Sequence, residues 1–477
     1  MRLPEYDRLD AVALGDLVAR REVSASELLE AALERADARN PALNALVARY
    51  DDEARARAAG PLPEGPLSGV PFLVKDLLAA WKGHPLTGSC RLLEGRPAAD
   101  DGVVVRRLKR AGLVLFGQTN TPELGIMGTT EPAMRGPTRN PWDLGRISGG
   151  SSGGAAAAVG ARMLPMAHAP DGFGSIRAPA ACCGLVGLKP SRARNTFAPF
   201  LGEGLGGLSA EHAVTLTVRD CAALLDATRG PGAGDPYAAP PPARPYREEV
   251  ALAPGPLRIA FTGRAPHGVP VDAEPLRVLR EVARLCGDLG HAVEEADPGV
   301  DGAAMVPAFL TLVSANTVVN LAGHPTAGRP PRPDEVEHVT WDTARMGERV
   351  TGAEYVRATQ TAHRLGRQMA AFHARHDVLL TPGLAVLPVK LGWIDMMLED
   401  VDEYWRRVFA FSPFTVWFNL TGQPAMMLPL GVSPEGLPVA VQLVGRFGDE
   451  ATLFRLAAQL EAAAPWWARR PEVADRL

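Results

Sequence analysis

Between Ser148 and Pro190 the chain is dominated by glycine, alanine, serine and other small residues: SGGSSGGAAAAVGARM, then DGFGSIR, then AACCGLVGLKP. No other stretch constrains the fold as strongly, because small residues let backbones approach closely and glycine reaches conformations that are costly for other residues. AAAAVGARM reads as a tightly packed helix of small residues. Glycines flank Ser151 and Ser152 just ahead of it. A further hydroxyl, Ser175, follows Gly172, Phe173 and Gly174, whose N–H groups, with that of Ser175 itself, can turn toward one point. Converging amides of this kind are what an oxyanion hole needs.

The sequence on either side sets the fold class. Ser24 followed by Glu27 reads as a capping box, and Leu29, Ala32, Leu33 and Ala36 then recur at helical spacing. GVPFLVKD reads as a short buried strand, DGVVVRRLKRAG as a helix closed by Gly112, and LVLFG as another strand. Residues 231–256 are rich in Pro and Ala and read as an extended surface connection. LRIAFTG, a helix from about Ala273 to Leu289, and HAVEEAD then resume the strand-helix-strand pattern. VAVQLVG and a helix from about Glu450 close the chain. This alternation predicts an α/β fold, and its resumption predicts one domain over 1–477 with a long surface excursion.

Composition narrows the function classes. Hydrophobic content of 46% and charged content of 22% match soluble globular chains. A net charge of −4 without a Lys/Arg block offers no footprint for nucleic acid. No stretch of about 20 uninterrupted apolar residues predicts a membrane span, and the acids in MRLPEYDRLDAVALGDL argue against a secretory signal. Five cysteines without C-x-x-C spacing suit a reducing cytoplasm. His373 and His376 share a helical face but lack a third ligand or an HExxH pattern, so they read as solvated surface residues, and no metal or cofactor is expected. Gly202-x-Gly204-x-x-Gly207 matches a dinucleotide fingerprint but precedes no clear helix. Gly149 to Gly153 satisfies G-x-S-x-G, yet RNPWDLGRIS before it forms no convincing strand for a nucleophile elbow.

Lys75, at the end of an apolar strand, is carried inward. A serine hydroxyl is a weak nucleophile until a base accepts its proton, and lysine can accept one only when neutral. Bringing its pKa from about 10.4 to about 7 to 8 corresponds to roughly 4 kcal/mol between the two protonation states.

Taken in order, these pieces resemble the amidase signature family. Gly149 to Pro190 resembles its signature region and REVSASELLEAALERADARNPALNA its N-terminal helix. GPLSGVPFLVKDL resembles its lysine strand, GQTNTPELG and TRNPWDLGRISGGSSGG its central loops, and FNLTGQPAMMLPLGVSPEGLPVAVQLVGR its C-terminal region. The resemblance implies a large mixed β-sheet core covered by helices on both faces. It also implies a Ser-Ser-Lys triad of Lys75, bridging Ser151 and nucleophile Ser175, with a cis peptide between Gly150 and Ser151. Gly172, Phe173, Gly174 and Ser175 would form the oxyanion hole, and Gly125, Ile126 and Phe173 would contact substrate. Asp171 and Arg177 read as structural partners of the loop.

The implied activity is stand-alone cleavage of carboxylic amide C–N bonds through an acyl-enzyme, in a monomer or homodimer acting on a small-molecule amide. AACCGLVGLKPSR resembles the branch of aryl acylamidases and aminohexanoate (nylon) oligomer hydrolases, favouring apolar or aryl amides, with esters or carbamates as further substrates. The alternative is the glutaminase-like A subunit of a tRNA-dependent amidotransferase. The chain departs from the family at Phe173, where D-x-G-G-S-I-R has glycine, and at Pro170, where Thr or Ser is usual. The Phe173 ring either forms part of the acyl pocket or packs beneath the loop. Ten large side chains between Trp393 and Phe418 likewise read either as pocket lining or as core or a dimer face.

Overall fold

The computed structural model describes residues 5–126, 128–322 and 331–475; the first four residues of the N-terminal segment lie outside these. Its frame is one eleven-stranded sheet. In chain order the strands are β1 (Leu46–Arg49), β2 (Pro71–Lys75), β3 (Val114–Thr119), β4 (Met166–Asp171), β5 (Val186–Lys189), β6 (Ala210–Thr215), β7 (Arg258–Phe261), β8 (Ala292–Glu295), β9 (Val378–Pro382), β10 (Ala425–Val432) and β11 (Pro438–Gly445). In space they run β1-β3-β2-β4-β6-β5-β10-β11-β9-β7-β8. Pairing is mixed: β2 lies parallel to β3 and β4, and β7 to β8 and β9, while the remaining pairs are antiparallel. Strands from before and after residues 231–256 meet where β5 pairs with β10.

Strand side chains alternate between faces, and here both faces are apolar. Along β10, Ala425 and Met427 join one core while Met426 and Leu428 join another. The same split separates Leu379 from Val378 and Leu380 in β9. Helices fill the space on each side. The helix Ala25–Leu43 starts at the expected capping box, with Glu27 N–H donating to Ser24 Oγ and Ser24 N–H to Glu27 Oε2. Every residue of the Gly153–Gly160 helix is buried, which explains why nothing larger than valine occurs in it.

Three further elements matter for the site. The helix Gly302–Ala322 is long and apolar enough to cross a membrane by length and composition, with 44% of its most apolar window buried inside the protein. It packs against the helices His338–Gly347 and Gly352–His373 and carries buried Phe309. The segment expected to hold His373 and His376 on one exposed helical face is different in the structure. The helix ends at His373, and both histidines are buried. His376 stacks on Phe372 and reaches Glu294 with Nε2 at 2.7 Å, while His373 Nδ1 donates to the His376 carbonyl at 3.2 Å. Polar residues at a helix end can be buried when the following turn folds back over them, and sequence periodicity does not register that reversal.

Candidate active site

Lys75 ends β2, with its side chain wholly buried. Its Nζ lies 2.6 Å from Ser151 Oγ and 3.0 Å from Ser152 Oγ. Among the described residues no carboxylate contacts it. Burial drives its pKa well below the usual lysine range, against a weaker opposing pull from the Asp171 charge. A neutral amine that takes a proton from Ser151 while donating to Ser152 fits these distances. The Gly150–Ser151 peptide is cis. Ser152, ignored in the sequence reading, also ties the two serine loops together, since its N–H donates to the Ser175 carbonyl at 3.3 Å.

Ser175 lies in the turn between β4 and the Arg177–Cys183 helix and is 3% exposed. The turn is organised by Asp171 and Arg177, both wholly buried. Arg177 donates through Nε and Nη2 to the two Asp171 carboxylate oxygens at 2.9 and 3.0 Å, through Nη2 to Asn419 at 2.6 Å and through Nη1 to Gln442 at 2.8 Å. Burial alone would raise the Asp171 pKa, but the Arg177 charge and its hydrogen bonds outweigh it and hold the carboxyl at about 2. The same carboxylate accepts from Gly174 N–H at 2.7 Å and Ile176 N–H at 3.1 Å.

That bond revises the expected set of oxyanion donors. Gly174 N–H is spent on Asp171 and faces away from an incoming oxygen. Among the described residues the N–H groups of Gly172, Phe173 and Ser175 have no partner in the protein. The four amides expected from the sequence become three. Gly174 instead serves the loop through its φ of +132° and its close contact with Thr415, where a Cβ would lie 2.5 Å from Thr415 Oγ1. Thr415 Oγ1 in turn donates to the Phe173 carbonyl at 2.7 Å.

Gly125 sits beside the bridging serine. Its φ is +69°, and a Cβ there would lie 2.3 Å from Leu77 and 3.3 Å from Ser151 Oγ. Only glycine lets the backbone approach Ser151 so closely. Ile126 is buried, and its carbonyl accepts from the Tyr404 hydroxyl at 3.5 Å. Phe173 keeps a negative φ, so the departure from glycine needs no strained backbone. Its ring meets Phe309 edge-on at 5.3 Å and Trp405 at 6.1 Å, and Phe309 touches Trp405 and Phe409 at 5.8 and 5.7 Å. The aromatic C-terminal segment therefore divides: Trp405 and Phe409 join the wall that begins at Phe173, Trp417 and Phe418 stack on each other in the core, and Met397 is 45% exposed.

The Amidase family matches residues 27–454. This chain belongs to the amidase signature family. It is 38% identical over 479 residues to the 6-aminohexanoate-cyclic-dimer hydrolase of Pseudomonas sp. (strain NK87), covering 97% of this chain and 96% of that one. The solved structure of a 6-aminohexanoate cyclic dimer hydrolase complexed with substrate superposes with a TM-score of 0.93 at 36% identity, over 98% of this chain and 99% of the other. A bacterial aryl acylamidase of the same family superposes at 0.88 with 29% identity, over 98% of each chain. The protein is an amide-cleaving hydrolase, and relatives matching nearly end to end set the amidotransferase-subunit alternative aside.

For an amidase with a neutral lysine in its site, the pH dependence has a definite sign. The pKa of Lys75 is depressed, so the amine is free at and above neutrality and becomes ammonium as pH falls through its lowered value. Turnover is expected to decline on the acid side in kcat/KM; a flat profile down to about pH 5 would contradict a neutral-lysine base.

Proposed function

We propose that Ser175 is the nucleophile, activated by Lys75 through Ser151, and that the substrates carry apolar or aryl acyl groups. The observation carrying the first part is a buried lysine without a carboxylate partner, 2.6 Å from a serine beside the Ser175 loop. Ser175 Oγ attacks the amide carbonyl carbon as its proton passes to Ser151, whose own proton passes to Lys75 Nζ. The new C–O bond places the charge on the carbonyl oxygen, where the N–H groups of Gly172, Phe173 and Ser175 receive it. Collapse breaks the C–N bond once the relay returns a proton to the departing nitrogen, which leaves poorly unprotonated. Water then repeats the sequence on the acyl-serine and releases the acid.

The acyl preference rests on the wall of Phe173, Phe309, Trp405 and Phe409, together with relatives named for 6-aminohexanoate cyclic dimer and aryl acylamide hydrolysis. Phe173→Ala removes the part of that wall nearest Ser175. It is expected to lower kcat/KM about tenfold for an anilide with a long apolar acyl chain, the scale of losing a hydrophobic contact in a pocket, while acetanilide changes by less than about twofold. Equal losses on both would mean that the ring only supports the loop. The purified chain is expected to turn over these amides without any partner protein.

A further inference from the structure

On the far side of the Val416–Thr421 helix from the nucleophile loop lies an open groove of about 550 Å³, between the second half of the Gly352–His373 helix and the turns at Thr421–Gln423 and Arg446–Phe447. Nothing in amide hydrolysis at Ser175 uses it. Its charge is positive. Arg192, largely buried, spends Nε and Nη2 on the carbonyls of Gly207, Asn419 and Leu420 and contacts no carboxylate. The nearest acid, Glu203, is hydrogen-bonded to Tyr237. Arg367 is exposed and, among the described residues, makes no ion pair. Arg446 is the third arginine, and it is neutralised by Asp377. Two cations without partners on one groove call for an anion.

The groove also holds two buried polar atoms with nothing to bond. His373 is 2% exposed; its Nδ1 donates to a carbonyl, so the neutral ring presents Nε2 as an acceptor, and that atom has no partner. Gln423, also 2% exposed, has an unpartnered Oε1. A buried acceptor left unmet costs about 1 to 3 kcal/mol, so both acceptors ask for an N–H from outside. Between them and the arginines the helix shows only Gly366, Ala370 and Ala374, opposite half-exposed Phe447.

We propose that this groove is a second binding site, for an amido-carboxylate: a short apolar chain with a carboxylate for Arg192 and Arg367 and an amide N–H for His373 and Gln423. Such a molecule is what partial cleavage of an oligoamide leaves. Occupancy would be felt at the active site through a short path. Arg192 holds the Asn419 carbonyl, and the Asn419 side chain donates to Asp171 at 2.9 Å.

Calorimetric titration with N-acetyl-6-aminohexanoate tests this, beside hexanoate, which lacks the N–H, and N-hexylacetamide, which lacks the carboxylate. Gly366→Leu fills the groove from a helical position where a Cβ meets nothing closer than 3.4 Å, and Arg367→Ala removes an exposed charge without touching the core. The full probe is expected to bind wild type at least tenfold more tightly than either partial probe, to lose at least tenfold in Gly366→Leu and about tenfold in Arg367→Ala, and to be unaffected by Arg106→Ala on the helix Val103–Arg110. Wild-type affinity in either groove variant, partial probes that bind as well as the full one, or no binding to wild type would overturn the assignment.

Discussion

Lys75→Met is expected to slow amide hydrolysis by on the order of 10² to 10⁴ while slowing hydrolysis of an activated aryl ester far less. Methionine keeps the apolar bulk in a site that is already wholly buried, so the substitution removes the base rather than the packing. Without Nζ, Ser151 loses the partner 2.6 Å away that can take its proton, and the departing amine has no route to one. A phenolate leaves without protonation, which is why the two substrates separate. Steady-state kcat on an anilide and on the matching p-nitrophenyl ester measures the difference directly. Equal loss on both would place Lys75 in the architecture of the site rather than in its proton traffic.

The second large effect is on stability. Asp171→Ala strips a buried arginine of its only carboxylate, and leaving one member of a buried pair uncompensated costs about 3 to 5 kcal/mol. The Gly174 and Ile176 N–H groups lose their acceptor at the same time. The loss is read as a fall in the urea midpoint, with the loop at Ser175 disordered in consequence. The sign with pH follows from the carboxyl pKa of about 2, depressed from an ordinary value of 3.8. Its contribution, roughly 2 kcal/mol, is fully present above the unfolded value and is lost as pH falls toward the folded one. Wild type should lose stability across that acid window, and the variant should lose correspondingly less.

Much of this site is legible in the amino-acid order, for physical reasons that differ residue by residue. Lys75 could be placed because PFLVK is apolar enough to be a buried strand, and a strand end delivers its last side chain inward. Ser151 and Ser175 were located by the glycines around them, whose spacing reflects backbone close to backbone. What escaped is what depends on partners far along the chain. Asn419, Gln442 and Thr415 reach the nucleophile loop from 242 or more residues away, each as an ordinary polar residue in an apolar segment. The commitment of Gly174 N–H to Asp171 is a matter of where one amide points, and D-G-F-G-S reads the same with it free or bound.

The aromatic segment was ambiguous for another reason. Tyr404, Trp405, Val408 and Phe409 lie along one helix stripe, and the stripe looks identical whether it meets core or pocket. Phe309, the residue that ties it to Phe173, sits almost a hundred positions earlier in a helix whose apolar composition alone would not distinguish interior from membrane. The strand order shows the same limit. β5, β10 and β11 are neighbours in space although much of the chain separates the first from the other two, and local periodicity carries no information about which strands pair.

The central claim is that Ser175, and neither serine of the Gly149–Gly154 run, carries the acyl group. Labelling the protein with a fluorophosphonate and mapping the adduct by peptide mass spectrometry tests it most directly. A single phosphonylated peptide modified at Ser175, with labelling lost in Ser175→Ala, is the predicted result. An adduct on Ser151 or Ser152 with Ser175 unmodified would contradict it.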